Sequence, residues 1–208
     1  MPGSSAKPIQ LEPTRKSVPD YLIKEEVNGI PFYYKGYREV LSGEKTLEDI
    51  MGSGGLQFVI LQYLLRLIVR MDAEEHFYIG NNEAGLHLDK GKNMANNLAL
   101  YDKQKLTPDK ITKGYVEVPP DLVIEVDTDF EVEDISPMDA VYLKTQQLLD
   151  FGTQKVIWIF TNSQKVLVAK PNQPWLTLSW AEDIELMPGT TFNIAAYLAR
   201  EGIFKPES

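Results

Sequence analysis

The chain has 208 residues, a net charge of −9 and no cysteine, which leaves room for one sizeable core and excludes disulfides, thiolate metal sites and cysteine nucleophiles. With only His76 and His87 as histidines, a zinc site built mainly on imidazoles has little to draw on, and a Ser-His-Asp triad has few candidates for its base. The acidic balance counts against broad phosphate binding, which needs clustered Lys and Arg, yet leaves a local basic groove open.

Residues 1–19 are rich in Pro, Ser and Lys without an apolar run. They read as a mobile tail rather than a secretory signal, so the expected location is cytoplasmic. The remainder, 20–208, is expected to form a single domain. Phe32-Tyr33-Tyr34 and residues 37–41 read as two short strands around a Lys35-Gly36 turn, an N-terminal β-hairpin extension whose aromatic side chains could pair with a second subunit. Thr46 and Asp49 have capping-box spacing and open a helical turn toward Gly52-Ser53-Gly54-Gly55. Those glycines precede a helix and could meet a phosphate, but the Lys-Ser/Thr of a P-loop is missing, so they read as a flexible connection.

The strongest helix follows over 56–71. It is interrupted by Gln57, Gln62, Arg66 and Arg70, too short and polar to span a bilayer, and is expected to be buried. Strand-like runs come next at 76–79, 86–88, 98–101 and 122–126, separated by turn-rich segments such as Asn81-Asn82. Ser136 as N-cap, Pro137 at the first helical position and Gly152 at the end frame a second helix. Strands at 155–161, 165–170 and 175–179 and a short helix at 194–200 close the chain. Helix, strands, helix and strands in this order argue an α/β or α+β fold around a mixed sheet flanked by helices.

Chemistry concentrates in Pro119-Pro120-Asp121-Leu122-Val123-Ile124-Glu125-Val126-Asp127. Alternation along a strand puts Asp121, Val123, Glu125 and Asp127 on one face. Carboxylates gathered there repel unless a cation sits among them, and hard oxygen ligands suit Mg²⁺ or Mn²⁺. On the following helix, at 100° per residue, Lys144 falls in one arc with Met138, Val141, Thr145, Leu148 and Leu149. A lysine directed inward needs a negative partner, for which the acidic strand is the nearest source; snorkelling to water from the helix flank is the alternative. Carboxylates, a metal and a lysine together suit phosphodiester hydrolysis.

These segments resemble the PD-(D/E)XK nuclease superfamily and, within it, the Uma-type restriction endonuclease family. The resemblance covers about 33–204 and is sharpest at Pro120-Asp121-Leu122-Val123-Ile124-Glu125-Val126, at Lys144 eight residues before Gly152, at Val156-Ile157-Trp158-Ile159 and at the closing 186–192 segment. It implies a restriction-endonuclease-like core, Mg²⁺ (or Mn²⁺) as cofactor, DNA as substrate and often a homodimer. In this branch the catalytic lysine sits on the helix, which is why position 127 is not lysine.

The resemblance assigns catalysis to Asp121, Glu125 and Lys144, and metal binding to Asp121, Glu125 and Asn97; the strand face adds Asp127 as a fourth metal ligand. Asn97 is the departure, since the family places a metal-binding aspartate there; Asp127 is an extra acid that partly compensates. Glu39 is the candidate for a further family acid near the start. Two other functions compete with a DNA endonuclease: a catalytically impaired relative kept for binding or dimerisation, favoured by Asn97 and the acidic charge, and a structural protein with a buried salt bridge. His76, His87, Trp158, Trp175 and Trp180 read as ordinary strand, core or interface residues.

Overall fold

The computed structural model describes residues 18–71, 73–89, 92–128 and 130–204. The expected N-terminal tail lies outside them except for Val18 and Pro19. Asn28 and Gly29 both take left-handed backbone conformations, φ 51° and 79°, as a two-residue type I′ hairpin turn requires. Ile23–Val27 (β1) therefore pairs antiparallel with Ile30–Tyr34 (β2).

This corrects the hairpin expected around Lys35-Gly36. Past Gly36 the chain forms Tyr37–Ser42 (α1), and the Gly36 N–H is held by Glu131 Oε1 at 2.9 Å. The aromatic side chains turn inward: Phe32, Tyr33 and Tyr37 are all buried within the chain, with Tyr33 and Tyr37 stacked at 4.6 Å. Tyr34 of the same run is half-buried and lines a cleft.

Thr46 donates to Asp49 Oδ2 from both its N–H and its hydroxyl, at 2.8 and 2.9 Å, ahead of a single 3₁₀ turn. Gly55–Arg70 (α2) buries Gln57, Ile60, Leu64 and Ile68, the spacing of one helical stripe, while Phe58 and Val69 on the other side are exposed. The helix is amphipathic rather than buried all round. No helix among the described residues is long and apolar enough to cross a membrane.

Beyond Ala73–His76 (α3), the short strands expected at 76–88 merge into one long strand, Phe77–Asp89 (β3), paired with Lys92–Asp102 (β4). Asn81-Asn82 is absorbed as a register shift between Asn81 and Ala84 instead of a turn. Leu122–Val126 (β5), the short Phe130–Glu131 (β6), Pro137–Phe151 (α4) and Lys155–Phe160 (β7) follow. Then come Lys165–Ala169 (β8), Leu176–Ser179 (β9), the Ile184–Met187 (β10) and Thr190–Phe192 (β11) hairpin, and Ile194–Arg200 (α5).

The main sheet has the order β3-β4-β5-β7-β8-β9. Its central pair, β5 and β7, is parallel because α4 carries the chain back across the sheet between them; every other neighbour is antiparallel. The fold is a mixed α+β sheet flanked by helices. On one face Leu122, Ile124 and Val126 meet Ile60, Leu64 and Ile68 of α2 and Ile194 and Leu198 of α5. On the other, Val123, Val156 and Trp158 meet Ala140, Val141, Leu148 and Leu149 of α4. Each of the Val, Leu and Ile side chains among them contributes about 1.5–3 kcal/mol on burial. Consequently β5 is buried on both faces, and Glu125 is the one carboxylate within it.

Two tyrosines report on this packing. Burial alone raises the Tyr101 phenol from the ordinary 10 to about 12; burial, followed by the hydrogen bond to Glu133, does the same for Tyr37. An unfolded chain would ionise both near 10, so the stability they contribute is present below pH 10 and lost as pH rises toward 12. Urea unfolding midpoints are expected to fall over that window, and the fall to shrink in Tyr101→Phe.

Candidate active site

The α4 helix is built to aim one charge inward. Ser136 Oγ accepts the Asp139 N–H at 3.1 Å, Pro137 occupies the first turn and Gly152 ends the helix at φ 120°. These caps fix the register, and Lys144 is buried on the stripe with Val141, Thr145 and Leu148. Met138, expected in the same arc, is instead exposed.

The Lys144 ammonium has three donors. It donates to Glu25 Oε1 at 2.8 Å and to the Ala95 carbonyl at 3.0 Å, and it forms an ion pair with Glu125 Oε1 at 3.0 Å. It also lies 5.8 Å from the Trp158 ring, whose N–H is fixed by Thr145 Oγ1 at 2.8 Å. The two glutamates are held from their far sides by β4: Ala95 N–H donates to Glu25 Oε2 at 3.3 Å and Asn97 N–H to Glu125 Oε2 at 3.2 Å. One positive charge thus sits between two negative ones, with side chains only 1–4% exposed.

Asn97 stands where β4 parts from β5. The paired register ends at Leu98 and Ile124, and beyond it Asn97 Oδ1 accepts the Val126 N–H at 2.9 Å. From α2, Gln57 Nε2 donates to the Val126 carbonyl at 3.0 Å and to Asn97 Oδ1 at 3.4 Å. Gln57 and Asn97 border a cleft of about 640 Å³, which Lys24, Tyr34, Ser53 and Phe58 also line.

Of the residues singled out in the sequence, the fold brings Glu125, Asn97 and Lys144 together and leaves Asp121 and Asp127 apart. Sharing a strand face is not sharing a point: four residues of strand span about 13 Å. Asp121, at the opposite end of β5, accepts the Asp102 N–H at 3.0 Å and forms an ion pair with Lys105. Asp127 has φ 60°, which turns its carboxylate to the end of β7, where it accepts from Thr161 N–H at 2.7 Å and Thr161 Oγ1 at 2.6 Å. Glu39 pairs with Lys45 at 3.7 Å.

The acid near the start that does reach the site is Glu25. Its signal was available in the Asn28-Gly29 turn, which makes 23–27 a strand and places Glu25 on the same face as Val27, both buried. His87 is bound to Asn93 at 2.6 Å, and Trp180 is core.

Among the described residues, no cluster of three or more Asp, Glu or His stands close enough to hold a metal ion. The oxygens nearest to that task are the Glu125 carboxylate, Asn97 Oδ1 and the Val126 carbonyl. All are hard donors and only one is charged, a set that suits a weakly held Mg²⁺ or Mn²⁺ that keeps much of its water.

No family model matches the chain, and no curated protein matches it. Among solved structures, it is similar to a protein from Anabaena variabilis described as a "putative nuclease belonging to DUF820". The TM-score is 0.60 at 13% identity, over 84% of this chain and 89% of that one. At that identity the likeness is one of fold: the mixed sheet and flanking helices are shared.

Proposed function

We propose that the chain is a divalent-metal-dependent endonuclease of DNA, and the observation that carries this reading is the Lys144 ammonium held between Glu25 and Glu125. A buried charge cluster of this kind costs several kcal/mol in desolvation, and an apolar replacement of similar volume would often stabilise the fold as well or better. Its presence at one end of β5, beside a cleft, is better explained by chemistry than by stability. The likeness in fold to a protein described as a nuclease supports the same reaction class.

In this reading Glu125 and Asn97 Oδ1 would hold the metal. A bound Mg²⁺ or Mn²⁺ supplies Lewis acidity toward a phosphodiester and a more acidic water. Glu25 accepts from Lys144 and aims it. Lys144 Nζ fixes the Glu125 carboxylate through its Oε1 and places a positive charge near the negative charge that develops on the phosphate. The cleft beside Asn97, with Lys24 on its lining, receives the DNA backbone. A homodimer would present two such sites, one to each strand.

A second reading, a catalytically impaired relative kept for binding or dimerisation, is favoured by one specific observation. Asn97 is neutral and its oxygen already accepts from Val126 N–H and Gln57. Incubation of supercoiled plasmid with the protein and Mg²⁺ or Mn²⁺ separates the two. The endonuclease reading expects nicked and linear DNA that a chelator abolishes. Intact plasmid under both metals would overturn it and leave the second.

A further inference from the structure

Gln57 is a polar residue on the buried stripe of an otherwise aliphatic helix face, followed by Ile60, Leu64 and Ile68. The first reason for its place is local: its amide satisfies the Val126 carbonyl, which would otherwise be stranded where β4 leaves β5. Burying that carbonyl without a donor would cost about 1–3 kcal/mol. The same Nε2 also reaches Asn97 Oδ1. One electropositive NH₂ group is therefore held between two of the three oxygens that a metal at this site would take.

We infer that the Gln57 carboxamide is a resident substitute for the cation: its NH₂ group occupies the metal position, and a divalent ion binds only by displacing it. This rests on the endonuclease reading for the site's purpose, but not for its geometry. Three observations support displacement over permanent closure.

The other donors to this oxygen set belong to the fold itself: the backbone N–H groups of Val126 and Asn97 and the triply held Lys144. Gln57 alone of the donors named here holds its oxygens by a side chain free of any ion pair, and its contact with Asn97 is long at 3.4 Å. It also lines the cleft of about 640 Å³, so a rotated side chain has space and water to receive it. Finally, Asn97 Oδ1 has two lone pairs; one stays with Val126 N–H, and the departure of Gln57 opens the other.

The chemical consequence is selectivity for concentration. A neutral amide competes weakly, so the site stays closed and electrically satisfied at low metal and opens as metal rises. Gln57→Ala removes the competitor and leaves the oxygens. Gln57→Glu replaces the competitor with a ligand.

Isothermal titration of the full chain with Mn²⁺ alone tests this directly. Dissociation constants are expected to fall about tenfold in Gln57→Ala, the equivalent of one lost hydrogen bond of about 1.4 kcal/mol, and further in Gln57→Glu. Circular dichroism verifies that each variant is folded; should the alanine variant unfold, the glutamate variant carries the test. Equal or weaker Mn²⁺ binding in the folded variants, or no measurable binding in any form, would overturn the inference. Because the readout is binding heat, tighter Mn²⁺ binding without plasmid cleavage would uphold the role of Gln57 while the endonuclease reading fails.

Discussion

Replacing Lys144 with methionine is expected to lower folding stability by about 3–5 kcal/mol, because it strands two buried carboxylates without a counter-charge. Glu25 and Glu125 are 1% and 4% exposed and both contact the same ammonium at 3.0 Å or less. The methionine fills much of the lysine volume, so the loss is electrostatic rather than a cavity effect. Part of it reflects the ammonium near the Trp158 ring, a contribution of about 0.5–2 kcal/mol. Urea denaturation measures the change. Adding Glu25→Gln and Glu125→Gln to the Lys144→Met background is expected to recover most of the loss, since neutral amides strand no charge. A loss below about 1 kcal/mol would mean that the cluster is hydrated and behaves as a surface pair.

Asn97→Asp is expected to make stability depend on metal. The new carboxylate can still accept the Val126 N–H through one oxygen, as Asn97 Oδ1 does at 2.9 Å. It also sets a second negative charge beside Glu125, whose Oε2 is bound to the same residue's N–H. Without metal the variant is therefore expected to melt below the parent chain. With Mn²⁺ at about 100 times its dissociation constant it should gain roughly 2.7 kcal/mol, against a much smaller gain in the parent. Thermal melts with and without Mn²⁺ read this difference. Equal metal-induced shifts in the two proteins would place the ion somewhere other than beside position 97.

Local rules made Lys144 legible. Ser136, Pro137 and Gly152 set the helix limits, and the 100° step put position 144 on the inward stripe, where it is found. The mixed sheet was legible for the same reason: the strands at 155–160 and 165–169 carry strong β-formers bounded by turn residues.

What local rules could not supply was the third dimension. Glu25 lies 119 residues from Lys144 in the chain, and their contact exists because β1 packs against both β4 and α4. Alternation groups Asp121 with Glu125, but it describes direction and says nothing of distance along the strand, and Asp121 lies just before β5 begins. Gln57 read as a polar interruption of an apolar run. Its partner is a carbonyl exposed by the parting of β4 and β5, a feature of sheet geometry with no trace in α2 itself. The aromatic run at 32–37 suggests a hairpin around Lys35-Gly36, but Asn28-Gly29 is the stronger turn signal and sets the pairing of 23–27 with 30–34.

The most direct test of the site is the rate at which supercoiled plasmid is nicked in saturating Mn²⁺ by the chain and by Glu125→Gln. Glutamine at 125 keeps the shape of the side chain and one carbonyl acceptor, and it replaces the second oxygen and the charge with a neutral NH₂ group. If Glu125, Lys144 and Asn97 form the working centre, nicking slows by at least about 100-fold while the variant stays folded. Equal rates for the two proteins would contradict it.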